Sequence, residues 1–246
     1  MDTDTLEYWR AVYTNASRSV LANTTIRHYL PSLIFSPDDA VTNDFLINLA
    51  TAAIGNAWAH LIEGTNDLLA DSVYYNVFPG EHYRLLRAIT NILNPQIAVE
   101  IGTYTGMGTV AILQGLSKGS IHTFDVVPWN SFSSHLKPQY FSDGQVVQHL
   151  ADVSSRAGFE QHRQILDEAE LIFLDAPKDG QFEYRFLPLI CGLEKMKRKL
   201  LILDDIKFVN MIDLWRSIKS PKLDISSFGH WSGTGLVDLS EGLLIA

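Results

Sequence analysis

A doubly wound, mostly parallel α/β sheet is the fold this sequence predicts, and three observations predict it. Five short apolar runs, beginning at residues 97, 120, 146, 169 and 200, recur between helix-like stretches. Four of them close on carboxylates, at Glu100, Asp125, Asp175 and the pair Asp204-Asp205. Spaced glycines, Gly102, Gly106 and Gly108, follow the first run. Strands buried on both faces read as continuous apolar runs, and ligands of open parallel sheets gather beyond the strands' carboxyl ends. The pattern therefore delivers four acidic tips to one edge.

Residues 1–75 lack such strand signals and read as a helical extension. Leu6, Trp9, Val12 and Tyr13 share a helical face, and Ser36-Pro37 has the form of a cap followed by a first-turn proline. Phe45, Leu49, Ala53, Ala57 and Leu61 recur at helical spacing. This extension is expected to cover the sheet, or to serve as a lid or dimer arm. Residues 76–246 form the main domain. A helix is predicted from Tyr83 to Leu93, stopped by Asn94-Pro95 because proline cannot continue it.

The first strand ends at the glycine turn, where the backbone can bend sharply and pass close to a ligand. The second is Ser120 to Asp125. An aromatic-rich connection from Val126 to Gly144 then leads to the third, Val146 to Leu150. Asp152 or Ser154 beyond it are helix N-cap candidates. The fourth strand runs to Asp175, with helical spacing resuming at Tyr184, Leu187 and Ile190, and the fifth runs from Leu200 to Asp205. A helix from Val209 to Ile218 precedes two short strands, Lys222 to Ile225 and Thr234 to Leu239, expected to pair as a hairpin.

Composition narrows the function classes. The chain has 246 residues, 46% of them hydrophobic and 19% charged, with a net charge of −9. Its one basic run, Lys195 to Lys199, is expected to end a helix, so nothing advertises the basic face that nucleic acid requires. No apolar run approaches the roughly 20 residues that span a bilayer. The single cysteine, Cys191, excludes an internal disulfide and is expected to be a buried structural thiol. A cytoplasmic protein is the resulting expectation.

The order Glu-x-Gly-x-x-x-Gly-x-Gly, from Glu100 to Gly108, resembles the first motif of class I S-adenosylmethionine (SAM)-dependent methyltransferases, whose fold is Rossmann-like with a terminal antiparallel strand. The resemblance implies that Glu100, Gly102, Thr103, Tyr104, Gly106 and Gly108 serve the methionine part of SAM. It further implies Asp125 for the ribose hydroxyls, Asp152 for the adenine amino group, and Asn76 and Val77 as loop contacts. One carboxylate accepting from two hydroxyls suits Asp125.

A second resemblance lies in Leu174-Asp175-Ala176-Pro177-Lys178 with Leu203-Asp204-Asp205. It is similar to metal-dependent O-methyltransferases of the catechol and caffeoyl-CoA types. That likeness implies Asp175, Asp204 and Asp205 as ligands of a divalent cation, Mg²⁺ by preference for hard oxygen donors, with Asp175 also facing the cofactor. It implies Lys178 as general base. A structural salt bridge for Lys178, and helix capping for the acids, stand as the plainer readings. Asp205 replaces the usual Asn, as in macrolide-sugar O-methyltransferases, and Lys197-Arg198-Lys199 replaces the usual glycine pair. The implied reaction is methylation of a hydroxyl on a small molecule with two adjacent oxygens, by a homodimer. His230 and Trp231 fall near the substrate side if the terminal hairpin reaches that edge, with His230 as an alternative base in a metal-independent enzyme and a partly exposed structural histidine as the plainer reading. A SAM-binding partner subunit without turnover is the non-enzymatic alternative.

Overall fold

A computed structural model describes residues 40–77, 82–179, 181–195 and 198–246, with backbone only at Asn76 and Val209. Seven strands form one sheet in the order β3-β2-β1-β4-β5-β7-β6. β1 (Ile97–Ile101) pairs in parallel with β2 (Ser120–Asp125) on one side and β4 (Leu171–Leu174) on the other. β3 (Val146–Leu150) and β5 (Leu200–Asp204) extend the parallel array outward. β7 (Thr234–Asp238) runs antiparallel between β5 and β6 (Lys222–Asp224). The doubly wound sheet, its terminal antiparallel strand and the hairpin all match the sequence reading.

Helices cover both faces, and β1 shows why. Its side chains alternate, so Ala98 joins one apolar cluster while Val99 and Ile101 join the other. The first cluster is completed by α1 (Asp44–Asn56), α2 (Tyr83–Leu93) and α3 (Met107–Gly115). The second receives one face of each later helix: Phe159 of α5 (Arg156–Gln161), Leu166 of α6 (Arg163–Glu168), Phe186 of α7 (Phe182–Ile190) and Leu214 of α8 (Val209–Ser217). The short α4 (Pro138–Ser142) lies in the aromatic connection. Asn94 closes α2 in the left-handed conformation at φ 49°, so the predicted stop falls where Pro95 demands it.

Leu49, Ala53 and Ala57 of the N-terminal extension are buried, and Asn43 caps α1 by accepting from Leu46 N at 3.0 Å. The Asn43 side chain also donates to Asp238 of β7 at 2.7 Å, tying α1 to the far end of the sheet. Residues 70–76 form a 3₁₀ helix that the sequence reading did not foresee. Leu6 to Tyr13 and Ser36-Pro37 lie outside the described residues.

Two expectations are corrected. Cys191 is exposed, not buried, because α7 ends at Ile190 and the thiol sits past the packed face. The basic run does not end α7. Instead Lys199 is buried and donates from Nζ to the carbonyls of Leu166 and Asp167, each at 2.8 Å. The cation thus complements the carbonyl end of a helix, but that of α6, and burial lowers its pKa to about 8. Among the described residues no helix is long and apolar enough to cross a membrane.

Candidate active site

The parallel order switches direction at β1, and two cavities open beyond the strand tips there. One, of about 580 Å³, is lined by Ile101, Phe124, Ala151, Pro177 and Phe182, with the carboxylates of Asp125 and Asp152 among them. The other, of about 330 Å³, is lined by Asp71, Tyr74, His82, Asp204, Asp205 and His230, among others. Gly102, Tyr104 and Asp175 line both, so the two cavities meet at the tips of β1 and β4.

Gly102 makes that junction. Its φ is +101°, and a Cβ there would stand 2.0 Å from the carbonyl oxygen of Asp175. Only glycine lets the two strand tips come this close. Gly108 has a similar constraint from below, since a Cβ would meet Glu100 Oε1 at 2.3 Å. Glu100 therefore lies under the start of α3, in the core rather than on either cavity wall. Thr109 Oγ1 and Thr123 Oγ1 both donate to its Oε2, the latter at 2.6 Å. Burial raises its carboxyl to about 8 despite those two bonds. Thr103 Oγ1 lies 2.7 Å from Thr123 Oγ1, which links the buried acid to the glycine loop.

Asp125 is held by that loop. Its Oδ2 accepts from Thr103 N and Tyr104 N, each at 3.0 Å, and its Oδ1 from Val126 N at 2.7 Å and Val127 N at 3.0 Å. The carboxylate is thereby aimed and fixed at the wall of the larger cavity. Asp152 shares that wall and accepts from Ser154 N at 2.9 Å and Ser154 Oγ at 2.6 Å. The N-cap of α5 is neither Asp152 nor Ser154 but Ser155, which accepts from Gly158 N at 3.1 Å. Val77 is exposed and lines neither cavity, whereas Asp71 and Tyr74 of the 3₁₀ helix just before it line the smaller one.

The smaller cavity gathers charge. Lys178 Nζ lies 3.0 Å from Asp175 Oδ1, 3.7 Å from Asp205 Oδ2 and 4.0 Å from Asp204 Oδ2. Burial alone would push the amine down, but these three acids outweigh it and hold the ammonium above the usual lysine range. Burial and the neighbouring Asp204 push Asp205 up to about 6. Asp204 goes the other way: burial opposes its ionisation, yet His230 and Lys178 keep it below the usual carboxylate range. Lys178 itself lines neither cavity. The sequence-predicted triad of acids is thus assembled, and one oxygen from each lies within 4.8 Å of the others.

His82, which the sequence reading missed, completes the wall. It is buried, and burial together with His230 lowers its pKa to about 3. Neither ring nitrogen has a hydrogen-bond partner among the described residues. Leaving a buried polar group unpaired costs about 1–3 kcal/mol. The backbone is strained as well. Of the five non-glycine residues described at positive φ, His82, Tyr104, Lys178 and Asp205 belong to this site, and only the helix cap Asn94 does not. Such conformations cost about 1–3 kcal/mol each and gather where function over-determines them.

No family model matches the chain, and no curated protein sequence matches it. Solved structures resemble it distantly. A methyltransferase from Geobacter sulfurreducens is 15% identical with a TM-score of 0.49, over 78% of this chain and 96% of that one. The O-methyltransferase TomG from Streptomyces achromogenes, in complex with SAM, is 14% identical with a TM-score of 0.42, over 93% and 96%. Cofactor-bound Rv0187 from MTB is 13% identical with a TM-score of 0.45, over 90% and 95%. Likenesses this distant decide nothing about chemistry, which rests on the side chains. The sheet order, with antiparallel β7 between β5 and β6, is that of a doubly wound, mostly parallel Rossmann-like sheet with a terminal antiparallel strand.

Proposed function

We propose that the chain is a SAM-dependent O-methyltransferase acting on a hydroxyl of a small molecule that carries two adjacent oxygens. One observation carries this reading: a cavity fit for a nucleoside and a cavity fit for a polar acceptor share Gly102, Tyr104 and Asp175. The larger is within the usual range for a cofactor site, about 300–1,000 Å³. Its apolar walls suit the adenine ring, and Asp125, fixed by four backbone N–H groups, suits the ribose hydroxyls. SAM bound there supplies the methyl group as an activated sulfonium.

The residues beside the acceptor also fit a hard divalent cation. Asp175, Asp204 and Asp205 bring three carboxylates to one ammonium, and burial together with the neighbouring Asp204 raises Asp205. A cation held by them would supply the charge that Lys178 now supplies and would orient the acceptor oxygens, leaving burial to favour the neutral amine of Lys178. Lys178 is proposed as the final proton acceptor. Asp175 and Asp205 both line the cavity and lie 3.0 and 3.7 Å from Nζ, so they lie between its contents and the amine's charge. Gly102 and Tyr104 hold donor and acceptor at one junction, which is where proximity contributes most to a two-substrate reaction.

The test is incubation of the full chain with SAM and a panel of catechols and sugar diols, with Mg²⁺ or after exhaustive chelation. Methyl ether formation that depends on Mg²⁺ is expected. Transfer that survives chelation unchanged removes the cation from the reading, and no transfer to any hydroxyl in the panel or to wider acceptors, despite SAM binding, removes the enzyme.

A further inference from the structure

The acceptor cavity contains a second group of ligand atoms that the carboxylate triad does not explain. His82, Asp204 and His230 are all buried, all line the cavity, and present atoms within 4.8 Å of one another. They come from three remote parts of the chain: the entrance of α2, the tip of β5 and the loop before β7. We infer that His82, Asp204 and His230 form a binding site for a borderline divalent transition-metal ion of the zinc class, open on its remaining side to the acceptor cavity.

The donor set selects the metal. Imidazole is a poor ligand for Mg²⁺ and a good one for Zn²⁺ or Co²⁺, and two imidazoles with one carboxylate are the three protein ligands of open zinc sites. The spacing agrees. Ligands about 2.0–2.1 Å from a tetrahedral ion stand about 3.3–3.4 Å apart. His82 Nδ1 lies 3.4 Å from Asp204 Oδ1. That contact lacks the alignment of a hydrogen bond, since both His82 nitrogens are without one. A buried imidazole that faces a carboxylate yet bonds to nothing is a ligand in position.

His230 is held differently. Its Nε2 is 2.6 Å from Asp204 Oδ1, so that pair must open by about 0.7 Å to admit an ion of this size. With Nε2 given to an ion, the ring proton would sit on Nδ1, where Ser232 Oγ, 2.6 Å away, is placed to accept it. A ring nitrogen that donates to a fixed oxygen while the other ligates is the usual support of metal-bound histidine. His82 is fixed by packing, its ring 4.6 Å from that of His230, 4.6 Å from Tyr83 and 5.6 Å from Phe173. The site shares Asp204 with the carboxylate triad, but it is defined by its ligand atoms and not by a reaction.

The experiment uses the full chain, freed of metal by chelation and titrated with Zn²⁺, with X-ray absorption at the zinc edge and Co²⁺ absorption as spectroscopic readouts. One ion per chain is expected, with imidazole scattering in the zinc spectrum. His82→Asn, chosen because Asn tolerates the left-handed backbone, and His230→Gln should each weaken Zn²⁺ binding at least about a hundredfold, and Ser232→Ala about tenfold. Asp205→Asn should leave Zn²⁺ affinity within about threefold while weakening Mg²⁺. A zinc spectrum without imidazole, or affinity unchanged in both histidine variants, overturns the site. The wild-type spectrum decides even where a variant fails to fold. SAM binding is measured separately by calorimetry, so failure here is distinct from failure of the methyltransferase reading.

Discussion

The two cavities are built on opposite principles. In the larger, the polar groups are settled: Asp125 accepts from four backbone amides and Asp152 from Ser154, so the site is complete before anything binds. In the smaller, the polar groups are crowded and unresolved. Three acids share one ammonium, Asp205 is driven up to about 6, and His82 is buried without a hydrogen bond. The difference teaches that the larger cavity is preorganised by backbone, whereas the smaller one gathers charge that a bound cation or polar ligand would balance.

The sharpest way to break this contrast is to remove the counter-ion of the acceptor side. Lys178→Met leaves buried Asp204 and half-buried Asp175 and Asp205 without their ammonium, and breaking a fully buried pair costs about 3–5 kcal/mol, an upper figure here. The expected result is a large fall in melting temperature at pH 7, partly restored by Mg²⁺, together with loss of turnover by orders of magnitude. A melting temperature that does not respond to Mg²⁺ would show that no cation takes the lysine's place.

The junction between the cavities is next. Gly102→Ala drives a Cβ into the Asp175 carbonyl at 2.0 Å in a left-handed backbone. A destabilisation of about 3 kcal/mol and loss of SAM binding are expected, read by chemical denaturation and calorimetry. Unchanged SAM affinity would place the donor elsewhere.

Glu100 tests the preorganised side through pH. Its carboxyl keeps its proton in the fold up to about pH 8, whereas an exposed glutamate loses it near 4.5. Between those values the unfolded chain binds fewer protons than the native one, so stability falls as pH rises from about 4.5 to about 8. Glu100→Gln, neutral throughout, should abolish about 3–4 kcal/mol of that loss between pH 5 and 8, measured by denaturant titration at each pH. An unaltered profile would show that Glu100 ionises normally. The smallest effect is expected far from both cavities, where Cys191→Ser should change stability by no more than about 0.5 kcal/mol because the thiol is exposed.

The same contrast governs what the sequence could disclose. The donor side was legible because it is made of strand tips and a glycine turn, features that burial on both faces and backbone sterics write directly into residue order. β2, β3 and α2 fall on their predicted residues for that reason. The acceptor side is assembled from side chains far apart in the chain. Asp204 and Asp205 were visible at the end of a strand, but His82 stands alone before α2 with no periodic signal. Asp71 and Tyr74 arrive on a 3₁₀ helix too short to show a period. Glu100 was placed correctly on β1, yet the alternation of that strand turns it under α3 rather than toward a ligand. The balance between burial and acids at Lys178 was likewise invisible until distances existed.

That the two cavities are separate in chemistry yet joined in space is tested most directly by calorimetric titration of SAM. One site per chain is expected in wild type, with affinity lost in Asp125→Ala by about tenfold or more and kept within a few fold in Asp204→Asn. No binding to the folded wild-type chain, or equal sensitivity to Asp125 and Asp204, would contradict it.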